Sequence, residues 1–147
     1  MKLIGATVLS VFAQTAVADV AIMSAPAAFE AVQNQEMVLI DIRTPEEWDE
    51  TGVAQGAVAL NMQSRDFGAK LSAIFAAQPS ATFGLICATG GRTSYVVGIL
   101  EQNGITGVID VSEGMLGNST GEGWIARGLP VVTPEIAVDA YTTAISQ

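Results

Sequence analysis

The sequence predicts an α/β fold in which a central, mostly parallel β-sheet carries helices on both faces. Short apolar runs typical of buried strands alternate with helical stretches along the chain. The runs at 37–42 and 82–86 are apolar almost throughout, as strands covered on both faces are. Glycine and proline residues punctuate the segments between them. These three observations favour parallel strands joined by helical crossovers.

Each element has a local reason. Ser24 can cap the first helix, Pro26 lies in its first turn, Pro79 stops the third helix and Gly104 ends the fourth. Residues 116–123 are polar and glycine-rich, which predicts a surface loop. The predicted elements, in chain order, are a helix over 24–33, a strand over 37–42, a short acidic helix over 46–50 after Pro45, a strand over 57–60, a helix over 67–77, a strand over 82–86, a helix over 93–103, a strand over 107–111 and a C-terminal helix over about 134–146, with Ile136, Ala140, Tyr141, Ala144 and Ile145 facing inward.

Composition excludes several classes of function. The chain has 147 residues and a formal charge of −9, with only six scattered basic residues, so neither nucleic acid nor an anionic membrane surface is an expected partner. It contains no histidine, which excludes histidine acid–base catalysis and histidine metal sites. A single cysteine excludes an intramolecular disulfide and a thiolate zinc site. We therefore expect no metal and no cofactor.

The first 18 residues have the three-part pattern of a secretory signal peptide. Met1-Lys2 is positive, 3–13 is apolar and uncharged, and Ala16-Val17-Ala18 fits a small-x-small cleavage site. A membrane anchor or a first core helix is the alternative, but the uncharged run stops at Asp19, short of the ~20 apolar residues of a span. We expect cleavage after 18, a single domain over 19–147, a periplasmic location and no stable membrane insertion.

The candidate catalytic residue is Cys87, the only cysteine, which follows the apolar run 82–86 and precedes two glycines and Arg92. Ligands of parallel sheets bind at the carboxyl ends of strands, where Cys87 lies. Loop N–H groups, the helix N-terminus and Arg92 all favour a thiolate, which is the nucleophilic form of cysteine. The alternative is a small buried hydrophobic residue. Two adjacent glycines and an arginine are poor core material and favour the functional interpretation.

Four segments, in order along residues 20–132, together resemble the single-domain rhodanese-like sulfurtransferases. They are 39–48 (LIDIRTPEEW), 52–61 (GVAQGAVALN), 87–92 (CATGGR) and 128–131 (GLPV). The resemblance implies a rhodanese-like fold with a five-stranded, mostly parallel sheet flanked by helices. Two departures stand out. Residues 52–57 lack the histidine and proline of the family's Gly-His-Ile-Pro-Gly-Ala pattern, and the segment between Gly114 and Trp124 is longer than usual.

The resemblance also implies a mechanism. Cys87 takes a sulfane sulfur from thiosulfate or a related small anionic donor, holds it as a persulfide and passes it to cyanide, a thiol or a sulfur-carrier protein. Arg92 orients the donor or braces the loop. From the residues themselves, we expect Arg43 to pair with Glu46 or Glu47 rather than touch substrate, and Asp41 to hold the backbone that supports the loop, because charged pairs at strand ends are usually structural. The substrate-binding residues implied are those of the loop: Ala88, Thr89, Gly90, Gly91, Arg92 and Thr93.

Two other functions remain open from the sequence. A cysteine-dependent phosphatase or arsenate reductase would resemble this chain but carries one more residue in the loop, whereas Arg92 here follows Cys87 by five positions. The shorter loop suits a single sulfur atom better than a phosphoryl group. A non-catalytic binding module of the same fold is the second alternative, and it predicts no sulfur uptake by Cys87.

Overall fold

The computed structural model describes residues 20–147, so the predicted signal peptide over 1–18 lies outside the described residues. The fold is α/β, as predicted. Within 20–147 the elements are, in order, α1 (Ala25–Gln33), β1 (Met37–Asp41), α2 (Pro45–Thr51), β2 (Val53–Ala54), β3 (Val58–Ala59), α3 (Phe67–Ala77), β4 (Thr82–Ile86), α4 (Gly91–Gln102), β5 (Ile109–Asp110), α5 (Gly123–Ala126), β6 (Val131–Val132) and α6 (Pro134–Ala144).

The central sheet of the described chain has four parallel strands in the order β3-β1-β4-β5, so the predicted count of five is wrong. A single parallel bridge between Ile22 and Asp110 lies beyond β5. Pairing stops there because Ser24 caps α1, which begins at Ala25. Residues 131–132 form β6, which pairs with β2 in a separate antiparallel ladder.

Alternate strand residues fill two hydrophobic clusters, one on each face of the sheet. Leu39 and Ile86 pack with residues of α1 and with Trp124 of α5. Ile40 and Leu85 point the other way and pack with residues of α3 and α4. Successive side chains of a strand face opposite sides, so strands this apolar require cover on both. Both faces of the sheet are therefore covered by helices, and ligand access is left to the strand ends.

The C-terminal helix α6 ends at Ala144. Three residues of its predicted inward face, Ala140, Tyr141 and Ala144, pack on the core as predicted, and two do not. Ala137 and Ala144 are buried, but Ile136 is 60% exposed and Ile145, the residue after the helix, is also exposed. The predicted inward orientation of these two isoleucines is wrong, because the buried stripe passes through Ala137, one position away from Ile136. None of the helices within 20–147 combines the length and the apolar character needed to cross a bilayer.

Glu113, just after β5, joins three distant parts of the chain. Its side chain is almost fully buried, and Oε1 accepts a hydrogen bond from the Ala25 N–H at 2.6 Å. Oε2 accepts from the Gly123 N–H and from Arg127 Nε, both at 2.8 Å. Burial raises the pKa of this carboxyl, but the three hydrogen bonds outweigh burial and hold the pKa below its usual range. The ionised form of Glu113 therefore stabilises the fold.

Replacing Glu113 with glutamine should lower the free energy of unfolding by about 3 kcal/mol at neutral pH, because an amide cannot accept all three bonds. The folded pKa of Glu113 lies below the usual glutamate value, so the contribution is present above that usual value and is lost as the pH falls through the folded pKa. Urea unfolding of both proteins at several pH values measures this, with exposed Glu30→Gln as control. A difference that stays constant down to strongly acidic pH would contradict this role.

Candidate active site

The Cys87 loop, residues 87–93, connects the end of β4 to the first turn of α4. The chain can turn there because Gly90 has a φ of +87°, in the left-handed region that glycine adopts without strain. A Cβ at Gly90 would collide with the carbonyl oxygen of Ser112. Helix α4 starts at Gly91, two residues earlier than predicted, so Gly91, Arg92 and Thr93 form its first turn.

The Cys87 sulfur lies against this turn. Cys87 is 1% exposed, and its Sγ accepts a hydrogen bond from the Gly90 N–H at 3.2 Å. The Thr93 hydroxyl oxygen lies 3.7 Å from the same sulfur. The first N–H groups of α4, from Gly91 to Thr93, have no acceptor within residues 20–147, which leaves the positive end of the helix free to stabilise an anion. Thr89 and Gly91 on the same loop are exposed, so the sulfur lies just below the surface.

The bracing segment, residues 112–118, holds the outer side of the Cys87 loop. Met115 N–H donates to the Cys87 carbonyl and Leu116 N–H to the Ala88 carbonyl, each at 2.8 Å. The Asn118 side-chain amide donates to the Thr89 carbonyl at 2.8 Å and to the Ser112 carbonyl at 2.7 Å. In a trans peptide the N–H points away from the preceding carbonyl. Fixing these three carbonyls outward therefore turns the following N–H groups towards the sulfur, as Gly90 shows.

Sequence reasoning missed this role of residues 112–118, since 116–123 was predicted only as a surface loop. Gly114 was the available signal. Its φ is +66°, and a Cβ there would collide with the backbone carbonyl of Ala88. A glycine required immediately after a strand end indicates that another stretch of backbone approaches closely. The longer segment after Gly114 thus begins by contacting the Cys87 loop.

Arg92 makes a bidentate ion pair with Glu47 of α2. Its Nη1 lies 2.7 Å from Oε2 and its Nη2 2.5 Å from Oε1. Glu47 also accepts from the Thr44 N–H in the capping box of α2. The hydrogen bonds from Arg92 hold the pKa of Glu47 at about 2, although partial burial acts in the opposite direction. Of the two roles expected for Arg92, the structure thus contains the bracing contact, which ties the loop to α2.

Arg43 does not pair with Glu46 or Glu47, so that prediction is wrong. It is buried and pairs with Asp41, with Nη2 2.7 Å from Oδ2. The carboxylate of Glu47 is already occupied by Arg92 and Thr44, and Arg43 reaches only the Glu47 backbone carbonyl. Arg43 also donates to Thr51 Oγ1 and to the Gly52 carbonyl, both at 2.8 Å.

Asp41 does not hydrogen-bond the Cys87 loop, contrary to the expectation that it holds the loop's supporting backbone. Its Oδ1 accepts from the Arg43 N–H and Nε, each at 3.0 Å. Asp41 and Arg43 instead join the end of β1 to the end of α2.

Cavities of about 700, 350 and 210 Å³ occur elsewhere in the described chain, and none of these three is lined by residues 87–93.

Comparison with known proteins identifies similar chains. Residues 25–118 match the family model described as Rhodanese-like domain. An uncharacterized protein of Rickettsia conorii is 26% identical over 105 residues, which cover 67% of this chain and 85% of that protein. A rhodanese-like domain protein from Staphylococcus aureus is 23% identical, with a TM-score of 0.55 over 77% of this chain and 99% of that one. The polysulfide-sulfur transferase homodimer from Wolinella succinogenes is 22% identical, with a TM-score of 0.56 over 80% and 81% of the two chains.

The orienting role of Asn118 can be tested by replacing it with alanine. We expect thiosulfate to load Cys87 about threefold more slowly, because the Thr89–Gly90 peptide can then turn the Gly90 N–H away from the sulfur. The measurement is the gain of one sulfur atom in intact mass with time. Asn103→Ala, which removes a similar amide bond to the Ile99 carbonyl, is the control. An Asn118→Ala loading rate equal to that of the wild type would argue against the orienting role.

Proposed function

The chain belongs to the rhodanese-like domain family, and we propose that it is a sulfurtransferase whose Cys87 carries the transferred sulfur as a persulfide. One observation carries the proposal. The only cysteine of the chain lies at the carboxyl end of a parallel strand, beside a helix N-terminus and 3.2 Å from a backbone N–H. A terminal persulfide sulfur carries negative charge, which such N–H groups stabilise.

In the first half-reaction the Cys87 thiolate attacks the outer sulfur of thiosulfate. A bond forms between the two sulfurs, the donor's S–S bond breaks, and sulfite leaves with the bonding electron pair. The N–H groups that follow the outward-fixed carbonyls of the Cys87 loop stabilise the charge on the transferred sulfur. The Wolinella succinogenes relative is a polysulfide-sulfur transferase, which makes polysulfide a second donor to compare with thiosulfate.

In the second half-reaction cyanide or a thiolate attacks the terminal sulfur of the persulfide. The products are thiocyanate or a new persulfide, and the Cys87 thiolate is released. The attack needs no proton transfer when the acceptor is an anion, which suits a chain without histidine. Because Cys87 is the only cysteine, the acceptor is a separate molecule, either a small thiol, cyanide or a sulfur-carrier protein.

We also propose a periplasmic location, on the basis of the signal-peptide pattern in residues 1–18. The intact mass of the protein recovered from the periplasm of a bacterial host tests it. A chain that starts at Asp19 supports the proposal, and a full-length chain retained in the cytoplasm contradicts it.

Persulfide formation is tested by intact mass after incubation with thiosulfate. The wild type should gain the mass of one sulfur atom, lose it again on addition of cyanide, and release thiocyanate. Cys87→Ser should gain nothing, because a serine hydroxyl does not form a persulfide. No gain by the wild type with either thiosulfate or polysulfide would favour the non-catalytic binding module. Hydrolysis of para-nitrophenyl phosphate that depends on Cys87 would favour the phosphatase.

The charge of Arg92 is tested by Glu47→Gln. Glutamine preserves the capping box but leaves Arg92 without its anionic partner. We expect thiosulfate to load Cys87 about threefold faster at low ionic strength, with the gain lost at high salt, because an unneutralised cation attracts the anionic donor. Exposed Glu46→Gln removes the same charge without freeing Arg92 and serves as control. Slower loading in Glu47→Gln alone would show that holding the loop outweighs attraction of the donor.

A further inference from the structure

A cavity of about 350 Å³, the α3–α4 cavity, lies between these two helices on the same face of the sheet as Cys87. None of its lining residues is charged, and only Ser72 and Tyr95 carry a hydroxyl. The other side chains that line it are aromatic or aliphatic, among them Phe67 and Ile99. Tyr95 is 64% exposed and Ile99 is 40% exposed, so the apolar lining is open to solvent. An open apolar space between two helices indicates a site for an apolar ligand.

The α3–α4 cavity begins at the edge of the sheet that carries the Cys87 loop. Helices α3 and α4 each follow a strand of the parallel sheet, so both begin at its carboxyl edge and run back along it. Phe67, the first residue of α3, lines the cavity. Met62 also lines it and donates its N–H to the carbonyl of Ile42, just after β1. From Phe67 to Phe75 the cavity follows α3 for about 12 Å.

Helix α4 connects the cavity to the Cys87 sulfur. Its first turn contains Thr93, whose hydroxyl oxygen lies 3.7 Å from Cys87 Sγ. Its next turn contains Tyr95 and Val96, which line the cavity, and Val96 is a neighbour of Thr93 on one side of the helix. The first turn has N–H groups without an acceptor within residues 20–147, and the following turns present apolar side chains. This arrangement is complementary to a ligand with an anionic head and an apolar tail.

We propose that the α3–α4 cavity binds the sulfur acceptor, and that this acceptor is a small thiol with an apolar tail. The proposal deepens the proposed sulfurtransferase function and rests on it. The tail lies between the two helices, and the thiolate faces the Cys87 loop. The thiolate attacks the terminal sulfur of the persulfide and forms a new S–S bond to it. The bond from that sulfur to Cys87 Sγ breaks, Cys87 keeps the electron pair as a thiolate, and the acceptor leaves as a persulfide.

The size of the cavity and the charge of the chain select this class of acceptor. A volume of about 350 Å³ is at the lower end of the roughly 300–1,000 Å³ of small-molecule sites, so it suits a short chain rather than a folded protein. The formal charge of −9 repels anions at a distance, so electrostatic attraction adds little affinity for an anionic acceptor. Burial of apolar surface does not depend on that charge. The cavity therefore supplies affinity that the net charge does not.

Two acceptors that differ only in tail length test the proposal. N-acetylcysteamine and N-hexanoylcysteamine have the same thiol head, and the second has the longer alkyl tail. With protein loaded by thiosulfate, we expect the half-saturating concentration of the hexanoyl thiol to be about tenfold lower, because each buried methylene adds affinity.

A matched pair of variants locates the preference. Ser72→Glu places a charge in the wall of the cavity at an exposed position and should remove most of the preference for the longer tail. Ala69→Glu adds the same charge at an exposed position of α3 that does not line the cavity, and the preference should be retained. Because the two thiols share one head, any general effect of the added charge on that head cancels in their ratio.

Binding is also measured without sulfur transfer, by NMR. N-hexanoylethanolamine, which has a hydroxyl in place of the thiol, should shift the methyl signals of Val96, Ile99 and Leu100, whereas N-acetylethanolamine at the same concentration should not. Shifts confined to residues outside the cavity overturn the proposal, as do equal half-saturating concentrations for the two thiols. A dimer that dissociates in Ser72→Glu would place a second copy of the chain in the cavity and would also overturn it.

Failure of this proposal and failure of the proposed function give different results. Sulfur uptake from thiosulfate and transfer to both thiols without a preference for the longer tail contradict the cavity alone. Binding of N-hexanoylethanolamine in the cavity without any sulfur uptake contradicts the sulfurtransferase function, and with it the acceptor role, and leaves the cavity as a binding site.

Discussion

The candidate site depends on the outward fixing of three consecutive carbonyls in the Cys87 loop. A loop rich in glycine and small residues has many backbone conformations of similar energy, so its own sequence does not aim its N–H groups. The two backbone N–H groups of Met115 and Leu116 and the amide of Asn118 remove that freedom by binding the carbonyls of Cys87, Ala88 and Thr89. Since each peptide is planar and trans, the opposite side of the loop is then defined as a surface of donors.

Dipoles rather than free charges dominate the electrostatics of this site. Arg92, the cation of the Cys87 loop, is neutralised by Glu47, in a chain whose formal charge is −9. Stabilisation of an anionic sulfur then falls to backbone N–H groups and to the N-terminus of α4. Donors of this kind bind one localised anion at short range and attract other anions weakly at a distance, which suits a persulfide sulfur.

The buried acids of the described chain divide into two kinds. Asp41 and Glu113 are surrounded by donors, and their negative charge connects segments that lie far apart in sequence. Asp110 has an oxygen without a donor in the described part of the chain, and burial raises the pKa of its carboxyl. The contrast distinguishes acids whose charge is stabilised by hydrogen bonds from one whose ionised form burial disfavours, although all three are hidden from solvent.

Apolar periodicity by itself determined the α/β class, the helices on both faces, and the place of Cys87 between a buried strand and a helix, because these follow from local patterns of side chains. Tertiary structure alone decided which partners meet. Arg92 and Glu47 are 45 positions apart and Asn118 and Thr89 are 29 apart. In place of the expected fifth strand there is a single bridge at Ile22, and Arg43 forms its ion pair with Asp41. These pairings depend on how distant segments pack and on which of them compete for the same donors and acceptors. A local sequence pattern contains no information about such contacts.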